Sequence, residues 1–426
     1  MTWCLYADPV TTPALEQLAR RVRRASRQVS KASSAVRNDA LRMAADLLED
    51  EWQSVVEANQ GDISRAKSGG AEASTQDRLR LSEERVRAMA AGLRGVASLA
   101  DPVGEVVDGW VRPNGLRVSR VRVPLGVVGV IYENRPNVTS DAAGLCLKSG
   151  NAAFLRGSDS ALASNRAIVG VLRRAVAKAG LPEEAVTLVE DTSHETAREF
   201  MRLRGLIDCL IPRGGPALIA SLIEHATVPY VLDGAGNCHV YVDAAADLSM
   251  ALDIVVNAKT HRFGVCNAAE TILVHSAVSE EFLPRLVGAM ANAGVEVRGD
   301  DRVRASVPGV GEAEESDFAT EYLGPTVAVG VVDSVDAAMD HVARFSTGHS
   351  EAIVTSDVQT ADRWVREVDA AAVLVNASTR FIDGEELGLG AEVGISTQKL
   401  HARGPMGVRE LTTVKWVVRG DGQVRQ

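Results

Sequence analysis

The chain has 426 residues, too many for one ordinary core, so two or three domains are expected. Apolar residues make up 46% and the formal net charge is -10, which excludes a disordered chain and argues against a nucleic-acid or anionic-membrane partner. Aromatic residues are only 4% and no run of eighteen apolar residues occurs, so base-stacking platforms and membrane-spanning helices are not expected either, and a small-molecule substrate is.

Five cysteines, Cys4, Cys146, Cys209, Cys238 and Cys266, are odd in number and widely scattered, unlike a disulfide framework. The N-terminal MTWCLYADPV lacks the basic and apolar regions of a secretion signal, so a cytoplasmic location is expected.

From Thr12 to Asp62 apolar residues recur at helical spacing, with Leu15, Leu18, Ala19 and Val22 on one face and Leu41, Ala44, Leu47 and Leu48 on another. Ser68-Gly69-Gly70 marks a loop. Ser82 then reads as the N-cap of a helix carrying Glu83 and Glu84 in its first turn and Val86, Met89, Leu93 and Val96 along one face. Trp110 to Val123 reads as a hairpin around Pro113-Asn114-Gly115, with a bulge between Val118 and Val121 where the alternation slips. Its arginines suit a solvated arm or one that pairs with another subunit.

Strand-like runs at 125–132, 151–155, 185–190, 207–211 and 227–232 alternate with helical stretches such as 160–178 and 216–225. The rhythm resumes at 270–274, 326–332, 352–355 and 372–375, which predicts two α/β units with parallel sheets. Between them Asp233 to His239, DGAGNCH, contains G-x-G but not the third glycine. The HVYVD that follows is strand rather than helix, so this is no dinucleotide fingerprint, and a tight turn between domains is expected there.

Asn257 to His275, NAKTHRFGVCNAAETILVH, places Cys266 on a short glycine-containing turn between a helix ending near Lys259 and a strand at 271–275. A thiol so placed, with an amide after it and two cationic side chains upstream, is suited to ionise and act as a nucleophile. A small buried side chain that merely packs is the alternative reading. The spacing of Cys238, His239, His261 and Cys266 does not match zinc sites, so no metal is expected, and no G-x-S-x-G elbow supports a serine hydrolase.

Val123 to Arg156, together with IPRGG at 211–215, VCNAAET at 265–271, EYLGP at 321–325 and LGLGAEVGISTQKLHARGPMG at 387–407, resembles the γ-glutamyl phosphate reductases, or glutamate-5-semialdehyde dehydrogenases, of the aldehyde dehydrogenase superfamily. The likeness spans nearly the whole chain. It implies an aldehyde-dehydrogenase-like α/β fold. The NADP-binding, Rossmann-like domain would take residues 1–109 and 124–232, the α/β catalytic domain 233–410, and a small oligomerisation hairpin 110–123 with 411–426.

The activity implied is reduction of L-glutamate 5-phosphate by NADPH to the semialdehyde and phosphate, the second step of proline biosynthesis from glutamate. Cys266 would be the nucleophile that forms a thioester, and Asn137 an oxyanion donor. Arg156, Gly157 and Ser158 would hold the adenosine ribose and its 2′-phosphate. Arg213, Gly214 and Gly215 would receive the pyrophosphate or nicotinamide half, and Glu321 the nicotinamide ribose. Arg135, Lys399 and His401 are substrate-binding candidates.

A homo-oligomer, dimer or tetramer, is implied, and a transient encounter with glutamate 5-kinase is raised because that enzyme's product is labile. Where hydrolytic aldehyde dehydrogenases carry a glutamate base, this chain reads Leu232-Asp233-Gly234-Ala235, which suits a reductase whose thioester must not meet activated water. The rival readings are a CoA-acylating aldehyde dehydrogenase and a catalytically silent binding protein on the same fold.

Overall fold

The structure is a computed structural model that describes residues 12–425; Cys4 and the N-terminal stretch read above lie outside the described residues. The chain forms two compact units. One runs through Leu232 and takes back Gly388–Gly394 and the chain from Met406 on, and the other comprises Asp233–Leu387 and Ile395–Pro405. Residues 388–394 and 406–410, expected in the catalytic domain, thus belong to the first unit, as does the hairpin.

The first unit opens with α1 (Pro13–Val29), α2 (Ser34–Asp50), α3 (Trp52–Ser68), α4 (Ala73–Leu79) and α5 (Glu83–Ser98). Pro13 starts α1, where its missing N–H costs nothing. Ser33 and Ser82 cap α2 and α5, each accepting a backbone N–H at 3.3 Å. Leu15, Ala19 and Val22 pack with Val127, Phe154 and Phe200 in one core cluster.

A hairpin follows, β1 (Val106–Val111) and β2 (Arg117–Pro124), starting at Val106 rather than Trp110. Gly115 turns it with φ 87°, as expected of Pro113-Asn114-Gly115. The bulge lies elsewhere than expected. Val106 and Asp108 of β1 pair with the adjacent Val121 and Arg120, so the extra residue is in β1, while β2 pairs without interruption.

The rest of this unit alternates strictly: β3 (Val127–Tyr132), α6 (Val138–Lys148), β4 (Ala152–Gly157), α7 (Leu162–Lys178), β5 (Val186–Leu188), α8 (His194–Phe200), β6 (Cys209–Arg213) and α9 (Pro216–His225). The four strands form a parallel sheet in the order β5-β4-β3-β6. β3 is buried on both faces, which is why it reads as an unbroken apolar run. The strand expected at 227–232 is reduced to a bridge between Leu210 and Tyr230, because Pro229 has no N–H to give a ladder.

The second unit runs β7 (Cys238–Val242), α10 (Leu248–Thr260), β8 (Ala269–His275), α11 (Ser276–Asn292), β9 (Glu296–Gly299), α12 (Asp301–Ser306), β10 (Gly311–Glu312), α13 (Glu315–Phe318), β11 (Thr326–Val332), α14 (Val335–Phe345), β12 (Ser350–Val354), α15 (Val358–Glu367) and β13 (Ala372–Val375). Its seven strands are parallel, in the order β10-β9-β11-β8-β7-β12-β13. Val240, Val255, Ile272, Phe282, Leu286 and Val329 are central to its core.

A short antiparallel pair, β14 (Ile395–Ser396) and β15 (Gly404–Pro405), completes that unit. The final strand, β16 (Thr412–Arg419), pairs with β2 along its length. On the resulting three-stranded sheet Trp110 and Trp416 meet edge to face at 5.7 Å, and Val106, Val111, Trp416 and Val418 stay exposed.

Gly129, in the middle of β3, has no room for a side chain: a Cβ there would lie 2.6 Å from Leu210 Cδ2 and 3.0 Å from Phe200 Cε1. Gly129→Ala should lower unfolding stability by about 1–3 kcal/mol through overpacking, read as a lower urea midpoint at unchanged slope.

Candidate active site

Asp247 caps α10 by accepting from the backbone N–H groups of Ser249 and Met250, and the helix carries the chain to His261. A turn then leads into β8, closed by the Ala268 N–H on the Val265 carbonyl at 3.1 Å. Cys266 sits on that turn, half-buried.

What fixes the turn comes from distant parts of the chain. Gly236 lies so close that a Cβ added to it would stand 1.5 Å from the Cys266 carbonyl oxygen. Cys238 is fully buried and donates its thiol to the same oxygen at 3.1 Å, and burial pushes that thiol well above its ordinary pKa, keeping it a donor. Asn267 gives its amide to the Ile382 carbonyl at 2.8 Å and its carbonyl to the Thr379 hydroxyl at 2.7 Å, while Arg380 bonds its Oδ1.

Gly234 and Gly236 are therefore required for close approach. Neither glycine has positive φ; the tight turn expected here is a three-residue one, closed by the Cys238 N–H on the Gly236 carbonyl at 2.9 Å, at the start of the second unit. A Cβ on Gly234 would meet Thr397 at 2.2 Å, while Asp233 accepts the Ile395 N–H at 2.9 Å.

The EYLGP stretch is built into the same surroundings. Glu321 accepts the Gly236 N–H at 2.8 Å, and burial raises its pKa. The next ring, Tyr322, lies 5.9 Å from the Lys259 ammonium and donates to Asp317 at 2.8 Å. Leu323 takes φ 50°, an uncommon conformation for a side-chain-bearing residue, with its N–H on Glu270 at 3.2 Å. Lys259 and Glu270 are themselves a fully buried ion pair, so Lys259 offers no charge to the turn. Burial pushes Glu270 up to about 7 and Lys259 down, each against the other's attraction.

The remaining substrate candidates of this unit are peripheral. Lys399 is exposed and paired with Asp369, which also holds Arg403, and His401 is exposed. A cavity of about 310 Å³, lined by Leu273, Phe318, His341 and Arg344 among others, contains neither Cys266 nor Glu321. Its charged groups are already engaged, Asp300 by the Val303 and Val331 N–H groups and Arg344 by Glu315.

In the first unit the sheet order places a topological switch between β3 and β6, since the chain runs from β3 outward through β4 and β5 and returns to the opposite side of β3. Ligands of open α/β sheets bind beyond the carboxyl ends of the strands at such a switch. Arg156 and Gly157 end β4, and Arg213 ends β6. Arg156 is buried, its Nη2 on the carbonyls of Thr192 and Ser193 and its Nε without a partner. Ser158 shares a hydroxyl network with Ser160 and receives the Asn134 N–H.

Gly215 caps α9, but Glu133 already accepts its N–H at 3.2 Å, and a Cβ on Gly214 would meet the same carboxylate at 2.5 Å. A carboxylate at that helix N-terminus opposes a pyrophosphate there. Asn137 is exposed at the start of α6 and donates its amide to Asp141 at 2.9 Å, whose carboxyl burial pushes up to about 6. Arg135 lies half-buried in the preceding loop.

The aldehyde dehydrogenase family model matches residues 8–307 and 310–417. The chain is 54% identical over 406 residues to γ-glutamyl phosphate reductase of Moorella thermoacetica, covering 95% of this chain and 97% of that one. It is 51% identical over 412 residues to the enzyme so named from Caldanaerobacter subterraneus subsp. tengcongensis, covering 97% and 100%. The chain belongs to the aldehyde dehydrogenase family and, within it, to the γ-glutamyl phosphate reductases. The crystal structure of γ-glutamyl phosphate reductase from Thermotoga maritima superposes with a TM-score of 0.95 at 48% identity, over 97% of this chain and 100% of that one. The fold expected from the family resemblance is thus the fold observed.

Sequence reading missed Cys238, Thr379, Arg380 and the Lys259–Glu270 pair. Nothing local marks them, because each acts on a partner distant in sequence or hidden by burial.

Gly236→Ala should lower kcat by about a hundredfold with the far-UV spectrum unchanged, because the added methyl must displace the backbone of Cys266. A pH effect follows from His349, which is fully buried and whose pKa burial pulls to about 4 from 6.5. Below pH 6.5 the unfolded chain takes up a proton that the folded chain refuses, so stability falls with pH until about pH 4. From pH 6.5 to 5.5 this histidine should cost about 1 kcal/mol, and His349→Asn should flatten the urea-measured pH dependence by that amount.

Proposed function

We propose that this chain reduces L-glutamate 5-phosphate to L-glutamate 5-semialdehyde, the second step of proline biosynthesis from glutamate, with NADPH as cofactor and a thioester on Cys266 as intermediate. The observation that carries this reading is the half-buried Cys266 on a turn braced by Gly236, Cys238 and Asn267, in a member of the γ-glutamyl phosphate reductases. So firmly held a thiol can meet the acyl carbon in one geometry.

The Cys266 thiolate attacks the acyl carbon, the carbon–oxygen bond to the phosphoryl group breaks, and phosphate leaves with the electron pair. The Asn137 amide is the proposed donor to the oxyanion formed in this step. A bound nicotinamide cofactor would supply the hydride for the thioester carbonyl; Cys266 then holds the thiohemiacetal and leaves as thiolate when the aldehyde is released.

The residues present fit a dinucleotide. The switch point between β3 and β6 and the unpartnered Nε of Arg156 suit the adenosine ribose and 2′-phosphate, with Gly157 and Ser158 beside it. Because Glu133 occupies the N-terminus of α9, Arg213, Gly214 and Gly215 are assigned to the nicotinamide half rather than the pyrophosphate. Glu321 is assigned to the nicotinamide ribose, and Arg135, Lys399 and His401 remain candidates for the substrate's α-carboxylate and ammonium. The exposed valines and tryptophans of the β1-β2-β16 sheet suit contact with a second copy, and a glutamate 5-kinase is the proposed source of substrate.

Asp233 is the nearest replacement for a water-activating base, yet its carboxylate accepts the Ile395 N–H. The thioester should then leave only by hydride transfer or attack of phosphate. Run backwards from the semialdehyde, NADPH formation should stop near one per active site without phosphate and turn over with it, and Cys266→Ala should form none. Steady phosphate-free turnover, or an active and folded Cys266→Ala variant, would overturn the reading.

A further inference from the structure

The short turn Thr379–Phe381 carries an arginine to the nucleophile. Ser378 caps that turn by accepting the Arg380 N–H at 3.3 Å, and Thr379, fully buried, anchors it to the Asn267 carbonyl at 2.7 Å. The Arg380 guanidinium bonds Asn267 Oδ1, directly after Cys266, and its Nε lies 3.3 Å from His261 Nδ1. Burial lowers the Arg380 pKa and the nearby Arg262 guanidinium lowers it further, while Asp383 and, more weakly, a Cys266 thiolate oppose that.

Among the described residues Arg380 lacks the ion pair that meets some of the other arginines. Arg37, also withdrawn from water, is met by Asp101, and Arg298 by Asp317. Arg380 is half-buried, yet among the described residues neither it nor Arg262 has a carboxylate within ion-pair distance, and Arg380 Nη2 makes no hydrogen bond. Asp383 and Glu386 lie within electrostatic reach of Arg380 without pairing. A partly desolvated guanidinium outside any ion pair, bonded to His261 with the exposed Arg262 next in the chain, forms a site whose free energy falls when an anion arrives.

We propose that Arg380 and Arg262 bind the phosphoryl group of the acyl phosphate and hold the phosphate released by Cys266. This rests on the proposed role of Cys266. The chemistry matches: two or more negative charges gather on the leaving phosphate as its bond to the acyl carbon breaks, and a guanidinium meets phosphate oxygens with paired donors without giving up a proton. In the reverse direction the same pair presents phosphate to the thioester carbonyl, a new carbon–oxygen bond forms, and the Cys266 thiolate leaves with its electron pair. The subsite would also favour an acyl phosphate over an ester or a free acid at the same carbon.

The test uses the full-length protein and inorganic phosphate. Neutral iodoacetamide should alkylate Cys266, located by peptide mass, and phosphate should slow that reaction saturably. In Arg380→Gln alkylation should persist while phosphate protection is lost. Its KM for phosphate in the reverse reaction should rise about tenfold or more, with the KM for semialdehyde within about twofold. Arg262→Gln, which removes no hydrogen bond within the protein, should show the same change in smaller measure, and Arg380→Lys should restore part of the phosphate affinity. Unchanged phosphate KM in both glutamine variants, or equal loss of affinity for phosphate and semialdehyde, would overturn the subsite. Absence of Cys266 alkylation in the unmodified protein would instead overturn the nucleophile reading on which it rests.

Discussion

The second unit depends on one close approach, the backbone of Gly236 against the carbonyl of Cys266. No other residue type fits there, since a Cβ would overlap the carbonyl carbon and oxygen. The contact fixes the turn from one side, and the Cys238 thiol fixes it from below through the same oxygen. Glu321 in turn holds the Gly236 N–H, so the EYLGP segment and the Cys266 turn are joined through a single glycine. A side chain on a turn held at so many points loses little freedom on reaching the reacting geometry.

Charge is distributed around this turn by pairing as much as by position. Lys259 is spent on Glu270 inside the core, Lys399 and Arg403 on Asp369 at the surface, and Arg298 on Glu296 and Asp317. The buried Lys259–Glu270 pair contributes little net stability, because desolvation offsets attraction, but it removes a competing cation from the interior. Beside Cys266 lie Arg380, half-buried and outside any ion pair among the described residues, and the exposed Arg262, the two side chains of the proposed phosphate subsite.

The first unit shows a comparable division of labour. The order of strand addition reverses beside β3, and Glu133 just after β3, Arg156 near the end of β4 and Arg213 at the end of β6 lie at the carboxyl ends of the strands. Glu133 on the Gly215 N–H means that the helix dipole there is already answered from within the chain. The carboxyl ends of the strands there are therefore shaped by the chain's own carboxylate, while Arg156 near the end of β4 keeps an unpartnered Nε among the described residues.

Periodicity and local chemistry determined much of this architecture from sequence alone. The apolar spacing of α1, α2 and α5, the cap at Ser82, the turn at Gly115 and the unbroken apolar run of β3 are properties of neighbouring residues, and each is visible without a partner. The position of Cys266 between helix and strand was equally legible. Pairing was not: the bulge of the hairpin falls in β1 because register is decided between strands, and Pro229 reduces its segment to a bridge because a ladder needs the N–H it lacks. The glycines of DGAGNCH read as a turn, but composition carries no record of the proximity that also requires them. Only the fold revealed that Gly236 makes room for Cys266 and that Thr379 brings Arg380 to Asn267, since hydrogen bonds and steric contact depend on distance in space and leave no periodic trace along the chain.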